Sequence, residues 1–196
     1  MEATATDTAL RLNLGSGGTH IEGFKNVDFN SAYEPDYVAD VQQLPFFDST
    51  VDEIYASHIL EHTEYNSPVL DEWARVLRPG GMLTVTVPDI IATYYAWKHE
   101  CAYWGEENHP VDLQYVNACA FGGRVLGPEW DHEGQYHKQI FIFDMLVERL
   151  RPLFPDAHEV GNYKVGDQEA HGVWLCETTV QGHNGKKAGL HGWPFK

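Results

Sequence analysis

The sequence predicts an α/β fold built on a mostly parallel sheet. Short apolar runs recur through the first half of the chain and are separated by turn residues, which is typical of strands buried on both faces of such a sheet. The first run ends in the glycine turn Gly15-Ser16-Gly17-Gly18, and an amphipathic helix precedes the fifth run. Because a strand, a helix and a further strand in this order indicate a right-handed βαβ unit, we expect one domain over residues 1–196.

The individual elements follow from the same pattern. Ser67 is predicted to cap the helix before the fifth strand, with Pro68 at its first position and Pro79-Gly80-Gly81 ending it. Asp144 is predicted to cap a later helix. Residues 1–9 are expected to be loose, and residues 182–196 to form a tail. The predicted strands are segments 10–15, 24–28, 36–40, 52–57 and 82–87, followed by a closing pair near 157–163 and 172–180.

Residues 90–138 differ from the rest in their aromatic content. They hold Trp97, Trp104 and Trp130 together with several tyrosines and histidines. The segment is too long for a plain connection and too aromatic for a solvated one. We expect a partly helical cap inserted over the ligand crevice.

Charge and cysteine content exclude several classes of partner. With 29 acidic and 13 basic residues, the net charge of −16 disfavours nucleic acid and anionic membranes. The three cysteines form no CxxC pair and no even disulfide set, which fits a reducing compartment. There is no basic start followed by an apolar run, and no run of membrane-spanning length. We therefore expect a cytoplasmic protein that binds neither nucleic acid nor membrane.

The spacing after the glycine turn argues against a dinucleotide. Asp28 follows Gly15 by only 13 positions, and the third glycine of a GxGxxG motif is missing. Dinucleotide-binding folds place their ribose acid about 20 residues on, after a full helix. The sequence therefore disfavours NAD.

The order of the motifs resembles the class I S-adenosylmethionine-dependent methyltransferases, most closely the small type 11 group often found beside glycan-building enzymes. The resemblance extends roughly from Leu10 to Asp89 and implies a Rossmann-like, mostly parallel seven-stranded sheet flanked by helices, with the aromatic-rich segment as a cap insertion. The stretches that carry it are Leu10 to Gly18, Asn26-Val27-Asp28, Ala39-Asp40-Val41, Val51 to His58 and Arg75 to Leu83.

The resemblance implies S-adenosyl-L-methionine as the cofactor and S-adenosyl-L-homocysteine as its product. It places Asp28 on the ribose hydroxyls, Asp40 on the adenine amine and Val41 beside the ring. The chain departs from the family at Asn13, where an acid is usual, and at Thr19, where a third glycine is usual. The predicted cofactor-binding residues are Asn13, Gly15, Ser16, Gly17, Asp28, Phe29, Asp40, Val41, Ser57 and His58.

The expected reaction is in-line methylation of a sugar, glycan or other small-molecule hydroxyl, helped by a His or Asp general base. The candidate catalytic residues are His137, His132, Asp89 and Asp131. The candidate substrate-binding residues are His62, Tyr94, Trp97, Trp104, Trp130 and Tyr136. Methylation of a nitrogen or a carboxylate stays open, as does a catalytically weak partner protein that only binds the cofactor.

A metal is allowed by the sequence but not indicated, so no metal ligand is predicted. Asp89, Asp131 and Glu133 have the oxygen donors that Mg²⁺ prefers, but in no diagnostic spacing. Zinc is disfavoured because the histidines form no HxxxH or HExxH pattern. The oligomeric state is left open.

Overall fold

The structure, a computed structural model, describes residues 9–98, 112–122, 135–159, 163–165, 168–170 and 177–183. The helices are α1 (Val69–Val76), α2 (Ile90–Lys98), α3 (Leu113–Phe121) and α4 (Phe143–Leu150), with 3₁₀ turns at Ser31–Tyr33 and Leu60–His62. The strands are β1 (Arg11–Leu14), β2 (Lys25–Asp28), β3 (Tyr37–Val38), β4 (Val51–Ser57), β5 (Leu77–Pro88), β6 (His158–Glu159), β7 (Tyr163–Val165), β8 (Gln168–Ala170) and β9 (Glu177–His183).

The main sheet has the strand order β3-β2-β1-β4-β5-β9-β6. The first five strands of this order run parallel, whereas β9 is antiparallel to both β5 and β6. The expected Rossmann-like parallel sheet is therefore confirmed. A separate antiparallel pair, β7 and β8, has no counterpart in the sequence-based prediction.

The core lies on the parallel strands, as their apolar sequences require. Leu12, Ile54 and Val85, on β1, β4 and β5, are fully buried. Trp73 of α1 is also fully buried, and its indole Nε1 donates to the carbonyl of Val41 at 3.0 Å. This bond joins α1 to the chain that follows β3 and satisfies the one polar atom of a large apolar side chain.

Helix α1 forms where predicted but is shorter than expected. It begins at Val69 with Pro68 in the cap position, and no side chain caps it. The prediction that Ser67 caps the helix is wrong, since its buried hydroxyl has no hydrogen-bond partner among the described residues. The helix ends at Val76 because Leu77 already pairs with Val51 in the sheet.

Helix α4 is also held differently from the prediction. Its cap position is Ile142, and Asp144 lies in its first turn, so Asp144 is not the cap. The backbone N–H of Phe143 instead donates to Oδ2 of Asp89, 54 positions earlier in the chain. A carboxylate from another element thus replaces the local cap.

The boundary of the expected tail differs from the sequence-based prediction. Strand β9 continues to His183, so the expected tail does not begin at residue 182. Within the expected cap segment the structure describes α2 and α3, whose placement over the crevice stays a prediction. Across the described parts of the chain, every helix is too short or too polar to cross a bilayer.

Candidate functional site

The carboxyl ends of the parallel strands bring the predicted site residues to one edge of the sheet. Gly15 follows β1, Asp28 ends β2, and His58 follows β4. Strands β2 and β3 are added on one side of β1, and the chain then crosses to the other side of β1 to form β4. The direction in which strands are added therefore reverses between β1 and β4. Ligands of open α/β sheets bind at this kind of topological switch point.

The glycine turn has a left-handed backbone at both key positions, with φ of +62° at Gly15 and +50° at Gly17. These values favour glycine. The two positions differ in what surrounds them. A Cβ at Gly15 would lie 2.7 Å from Cδ1 of Ile59, whereas a Cβ at Gly17 would meet nothing within 4 Å. The open approach to the backbone therefore lies at Gly17, and Gly15 makes room for Ile59.

Asn13 and Ser16 support the turn from inside the protein. The Asn13 side chain is buried, and its Nδ2 donates to the carbonyl of Thr19 at 2.8 Å and to Oδ1 of Asn26 at 2.9 Å. The backbone N–H of Ser16 donates to the carbonyl of Val27 at 3.1 Å. The amide of Asn13 thus joins the turn to β2.

Asp28 is buried at the end of β2, with 5% of its surface exposed. Its Oδ2 accepts from the backbone N–H of Gly17 and its Oδ1 from that of Asn30, both at 2.8 Å. Each carboxylate oxygen has two lone pairs, so each retains one acceptor position. The arrangement fits the paired hydroxyls of a ribose while the same carboxylate holds the glycine turn.

The rim beside Asp28 presents apolar side chains to solvent. Phe29 is 66% exposed and Val38 is 61% exposed, so both side chains leave apolar surface in contact with solvent. Asp40 is also exposed, and its Oδ1 accepts from the backbone N–H of Gln42 at 2.8 Å. Val41, by contrast, is buried in the core, so the structure does not place its side chain on this rim.

His58 follows β4 in a strained conformation, with φ of +53°. Its backbone N–H donates to the carbonyl of Thr86 at 3.0 Å, and the hydroxyls of Ser57 and Thr86 are 2.8 Å apart. A positive φ at a residue other than glycine is uncommon and is often found at functional sites. The side chain of His58 is 43% exposed at the edge where substrates bind.

Glu61 lies beneath this histidine and is 1% exposed. Its Oε1 is 3.2 Å from Nδ1 of His58, an ion-pair distance, and among the described residues neither carboxylate oxygen has a partner in hydrogen-bond geometry. One ligand atom each from Glu61, His62 and His137 lies within 4.8 Å of the others. We call Glu61, His58, His62 and His137 the histidine cluster.

The pKa values in this cluster follow from burial and charge. Burial raises the pKa of Glu61, but His58, His62 and His137 outweigh this and hold that pKa below its ordinary value. Burial lowers the pKa of His137, with Glu61 acting in the opposite direction. At neutral pH the cluster therefore contains an ionised carboxylate beside a neutral His137.

Backbone carbonyls orient two of the rings. Nδ1 of His62 is 3.1 Å from the carbonyl of Tyr136, and Nδ1 of His137 is 3.0 Å from the carbonyl of Cys119. Because a carbonyl only accepts hydrogen bonds, each Nδ1 carries a proton, so Nε2 is the ring nitrogen that can offer a lone pair. The ring centroids of the two histidines are 4.8 Å apart.

Asp89 reaches the same edge, but its carboxylate holds structure. Oδ1 accepts from the backbone N–H groups of Ile91 and Ala92 at 2.9 Å, and Oδ2 accepts from that of Phe143 at 3.2 Å. The side chain is buried, with 2% of the residue exposed. Asp89 therefore caps α2 and joins it to α4, a role that the sequence did not indicate.

The remaining candidates are divided between α2 and segments outside the described residues. Tyr94 and Trp97 of α2 are about two-fifths exposed, with ring centroids 5.9 Å apart, and Tyr136 pairs with Gly122 in an antiparallel bridge. His132, Asp131, Glu133, Trp104 and Trp130 lie outside the described residues.

Glu61 is absent from the predicted site residues, although it directly precedes the predicted His62. A glutamate is rarely buried, so its place in the chain suggests an exposed turn residue. The available signal was its position three residues after His58 and directly before His62, which puts three ionisable groups on one short turn. The contribution of His137 depends on tertiary contacts that the local spacing does not show.

The comparisons with known proteins agree with this geometry. A family model described as "Methyltransferase domain" matches residues 22–85, which is about a third of the chain. No curated protein sequence matches the chain at a significant level.

Solved structures resemble the chain over nearly its whole length. A SAM-dependent methyltransferase of Methanosarcina mazei superposes with a TM-score of 0.56 at 16% identity, covering 89% of this chain and 91% of that one. The fold is that of the SAM-dependent methyltransferases. With the matched domain, it supports a methyltransferase enzyme that uses S-adenosyl-L-methionine.

Two further structures in this group are similar. A possible histamine N-methyltransferase of Thermotoga maritima has a TM-score of 0.54 at 14% identity, covering 89% of this chain and 82% of that one. The 1,6-didemethyltoxoflavin-N1-methyltransferase of Burkholderia thailandensis, with bound S-adenosylhomocysteine, has a TM-score of 0.50 at 13% identity, covering 90% of this chain and 71% of that one.

Proposed function

We propose that the protein is an S-adenosyl-L-methionine-dependent O-methyltransferase that acts on a small-molecule hydroxyl, with a sugar or glycan hydroxyl as the leading acceptor. The observation that carries the proposal is the pairing of exposed His58 with buried, ionised Glu61 at the end of β4. A hydroxyl acceptor needs a base because it is a poor nucleophile, whereas a neutral amine does not.

The cofactor would lie along β1 and β2. Gly17 leaves its backbone open, and Asp28 retains acceptor positions for two ribose hydroxyls. Phe29 and Val38 supply apolar surface for the adenine. When bound, S-adenosyl-L-methionine supplies an electrophilic methyl group, so that the new O–CH₃ bond forms as the S–CH₃ bond breaks and S-adenosyl-L-homocysteine leaves.

The chain's own residues would position and deprotonate the acceptor. With Nδ1 directed to Glu61, His58 keeps Nε2 to take the hydroxyl proton, and the ionised carboxylate stabilises the imidazolium that results. Such contacts are often long without substrate and tighten when it binds. His58 therefore replaces His137 as our candidate base, because it is the exposed histidine of the cluster.

The experiment measures transfer of a labelled methyl group from S-adenosyl-L-methionine to panels of hydroxyl and amine acceptors. His58→Asn removes the base while tolerating the positive φ, since asparagine adopts this conformation readily. We expect the rate on hydroxyl acceptors to fall roughly 10²- to 10⁴-fold. A calorimetric titration of the variant with S-adenosyl-L-homocysteine separates this loss from any loss of cofactor affinity. His20→Asn, at an exposed histidine bonded to the carbonyl of Tyr33, is the matched control.

Two outcomes would contradict the proposal. Methyl transfer by the wild-type protein to amine acceptors alone, at a rate that His58→Asn leaves unchanged, would assign the protein to the N-methyltransferases. Failure of the wild-type protein to bind S-adenosyl-L-homocysteine in a calorimetric titration would favour the catalytically weak partner protein.

A further inference from the structure

We propose that Glu61, His62 and His137 bind a divalent transition-metal ion of the Zn²⁺ class. Their ligand atoms come within 4.8 Å of one another at the carboxyl edge of the sheet. Two imidazoles and one carboxylate form a donor set that holds catalytic zinc with a fourth position open to water or substrate.

The buried carboxylate is the first argument for an ion. Glu61 is 1% exposed, and within the described part of the chain its Oε2 has no hydrogen-bond partner. A buried carboxylate is costly unless it is paired or coordinates a metal. His58 approaches Oε1 at 3.2 Å, and the unpartnered Oε2 has lone pairs for a cation.

The orientation of the rings is the second argument. His62 and His137 each direct Nδ1 to a backbone carbonyl, so Nε2 is the nitrogen that each ring offers to a ligand. A carbonyl that fixes the tautomer in this way is the usual outer support of a metal-binding histidine. The carbonyl that holds His62 belongs to Tyr136, the residue directly before His137, so this bond also brings the two histidines together. The carbonyl that holds His137 belongs to Cys119 of α3.

The packing around His137 supports a fixed ligand position. Gly122 has no side chain, and a Cβ there would lie 2.8 Å from Cδ2 of the His137 ring. The backbone N–H of Lys138 donates to the carbonyl of Glu61 at 2.8 Å, which joins the segment carrying His137 to the turn carrying Glu61. Tetrahedral zinc would draw the ligand atoms to about 3.3 Å from one another, a contraction of side chains on these anchored backbones.

The donor types select the ion. Imidazole suits Zn²⁺, Co²⁺ and Fe²⁺, whereas Mg²⁺ prefers oxygen ligands. Sequence spacing did not indicate the site because HxxxH and HExxH patterns detect two ligands on one helix, whereas here the second imidazole comes from a distant segment. His58 stays outside the ligand set and in contact with the shared carboxylate.

The ion's role in methyl transfer rests on the proposed function, whereas its binding does not. At the open position an ion of this kind would bind the acceptor oxygen and lower the pKa of its hydroxyl. The proton would then pass to His58, and the O–CH₃ bond would form as the S–CH₃ bond of the cofactor breaks. The ion would therefore assist the base rather than replace it.

The experiment uses the full chain, stripped with a chelator and titrated with Co²⁺ as a spectroscopic probe. We expect one Co²⁺ per chain, a visible absorption band typical of low coordination number, displacement by Zn²⁺ and no response to Mg²⁺. His62→Gln, His137→Gln and Glu61→Gln should each weaken binding at least about tenfold. His20→Gln, at an exposed histidine outside the cluster, should leave it unchanged.

A thermal melt in chelator identifies any variant that fails to fold. If a variant fails to fold, the wild-type protein can be titrated with Zn²⁺ while the NMR signals of its histidine rings are monitored. This experiment tests the metal site without any substitution. Shifts at His62 and His137 but not at His20 would support the site. Equal shifts at all three, or metal retained equally by His20→Gln and His137→Gln, would overturn it. Loss of S-adenosyl-L-homocysteine binding with the Co²⁺ band intact would sink the proposed function and leave the metal site standing.

Discussion

Gly122 and His137 are packed so closely that a side chain at residue 122 and the observed ring position exclude each other. A Cβ at Gly122 would lie 2.8 Å from Cδ2 of His137 and 2.2 Å from the carbonyl oxygen of Gln135. The residue also has φ of +68°. The end of α3 therefore determines where His137 lies.

Gly122→Ala should accordingly destabilise the protein more than a glycine replacement in open space. Gly23→Ala is the matched control, since Gly23 has φ of +80° with nothing within 4 Å. We expect a loss of about 1 kcal/mol in the free energy of unfolding for Gly23→Ala, from backbone strain alone. For Gly122→Ala we expect about 3 kcal/mol or more, because overlap with backbone adds to the strain. Urea unfolding measures both, and equal losses would show that the contact is easily relieved.

Asp89→Asn should reduce stability without removing the chemistry. Asparagine still caps α2 well, but its amide N–H₂ would face the backbone N–H of Phe143 where Oδ2 now accepts. We expect a loss of about 1–3 kcal/mol in the free energy of unfolding. The rate of methyl transfer per folded molecule should stay at the wild-type value.

Asp144→Asn, at an exposed position in the first turn of α4, is the comparison for that loss and should be nearly neutral. A fall in methyl transfer for Asp89→Asn at full folding would restore Asp89 as a candidate base.

The Glu72–Arg75 pair should make stability depend on pH. Oε1 and Oε2 of Glu72 accept from Arg75 at 2.7 Å, and Oε1 also accepts from the backbone N–H of Leu44 at 2.7 Å. The hydrogen bonds from Arg75, more than from Leu44, hold the pKa of Glu72 below its ordinary value of 4.5. Because the folded state holds this proton less tightly than the unfolded state, the stabilisation is present above pH 4.5 and is lost as pH falls through the folded pKa.

Glu72→Gln tests this linkage. At neutral pH the variant should lose about 2 kcal/mol in the free energy of unfolding, since charged hydrogen bonds are replaced by weaker ones. The difference from wild type should shrink as the pH is lowered below 4.5. Asp71→Asn, at an exposed acid on the same helix, should give a small difference with no such trend. If the difference in free energy of unfolding between Glu72→Gln and wild type stayed constant as the pH fell, the ionised Glu72 would not be the source of the stabilisation.

The parallel strands and the first half of the cofactor site were predictable because both depend on local sequence. Strands β1 and β4 carry buried apolar residues, such as Leu12 and Leu14 in β1 and Ile54 in β4, between turn residues. Glycine is favoured in the turn after β1 because φ is positive there. The pair β7 and β8 was not predictable, since each strand is only three residues long, which is too short for alternation to be recognised. The resemblance placed Val41 beside the adenine ring, but its side chain is buried in the core, and its carbonyl accepts from Nε1 of Trp73, 32 positions later.

The histidine cluster was only partly predictable for a related reason. His62 and His137 were both identified as candidates, but their juxtaposition depends on contacts such as that between His62 and the carbonyl of Tyr136, 74 positions apart. Burial of Glu61 is a product of the same contacts, since the segment after Tyr136 covers it through Lys138 and Gln139. Long-range packing thus decides which of many polar residues become chemically unusual.

Asp28→Asn should separate cofactor binding from the rest of the site. The substitution removes the charge and one of the two acceptor oxygens that fit the ribose hydroxyls, while Oδ1 can still hold one backbone N–H. We expect affinity for S-adenosyl-L-homocysteine, measured by calorimetric titration, to fall about 10- to 100-fold, as loss of a charged hydrogen bond predicts.

Two other acids serve as controls for this loss. Asp40→Asn should reduce the affinity less, because Asp40 is exposed and its contacts compete with water. Asp71→Asn, remote from the glycine turn on α1, should bind like wild type. Circular dichroism confirms folding of each variant, and Co²⁺ binding at the histidine cluster should be unchanged by Asp28→Asn, since its ligands do not include β2. Unchanged affinity in a folded Asp28→Asn protein would mean that the cofactor does not lie against the end of β2.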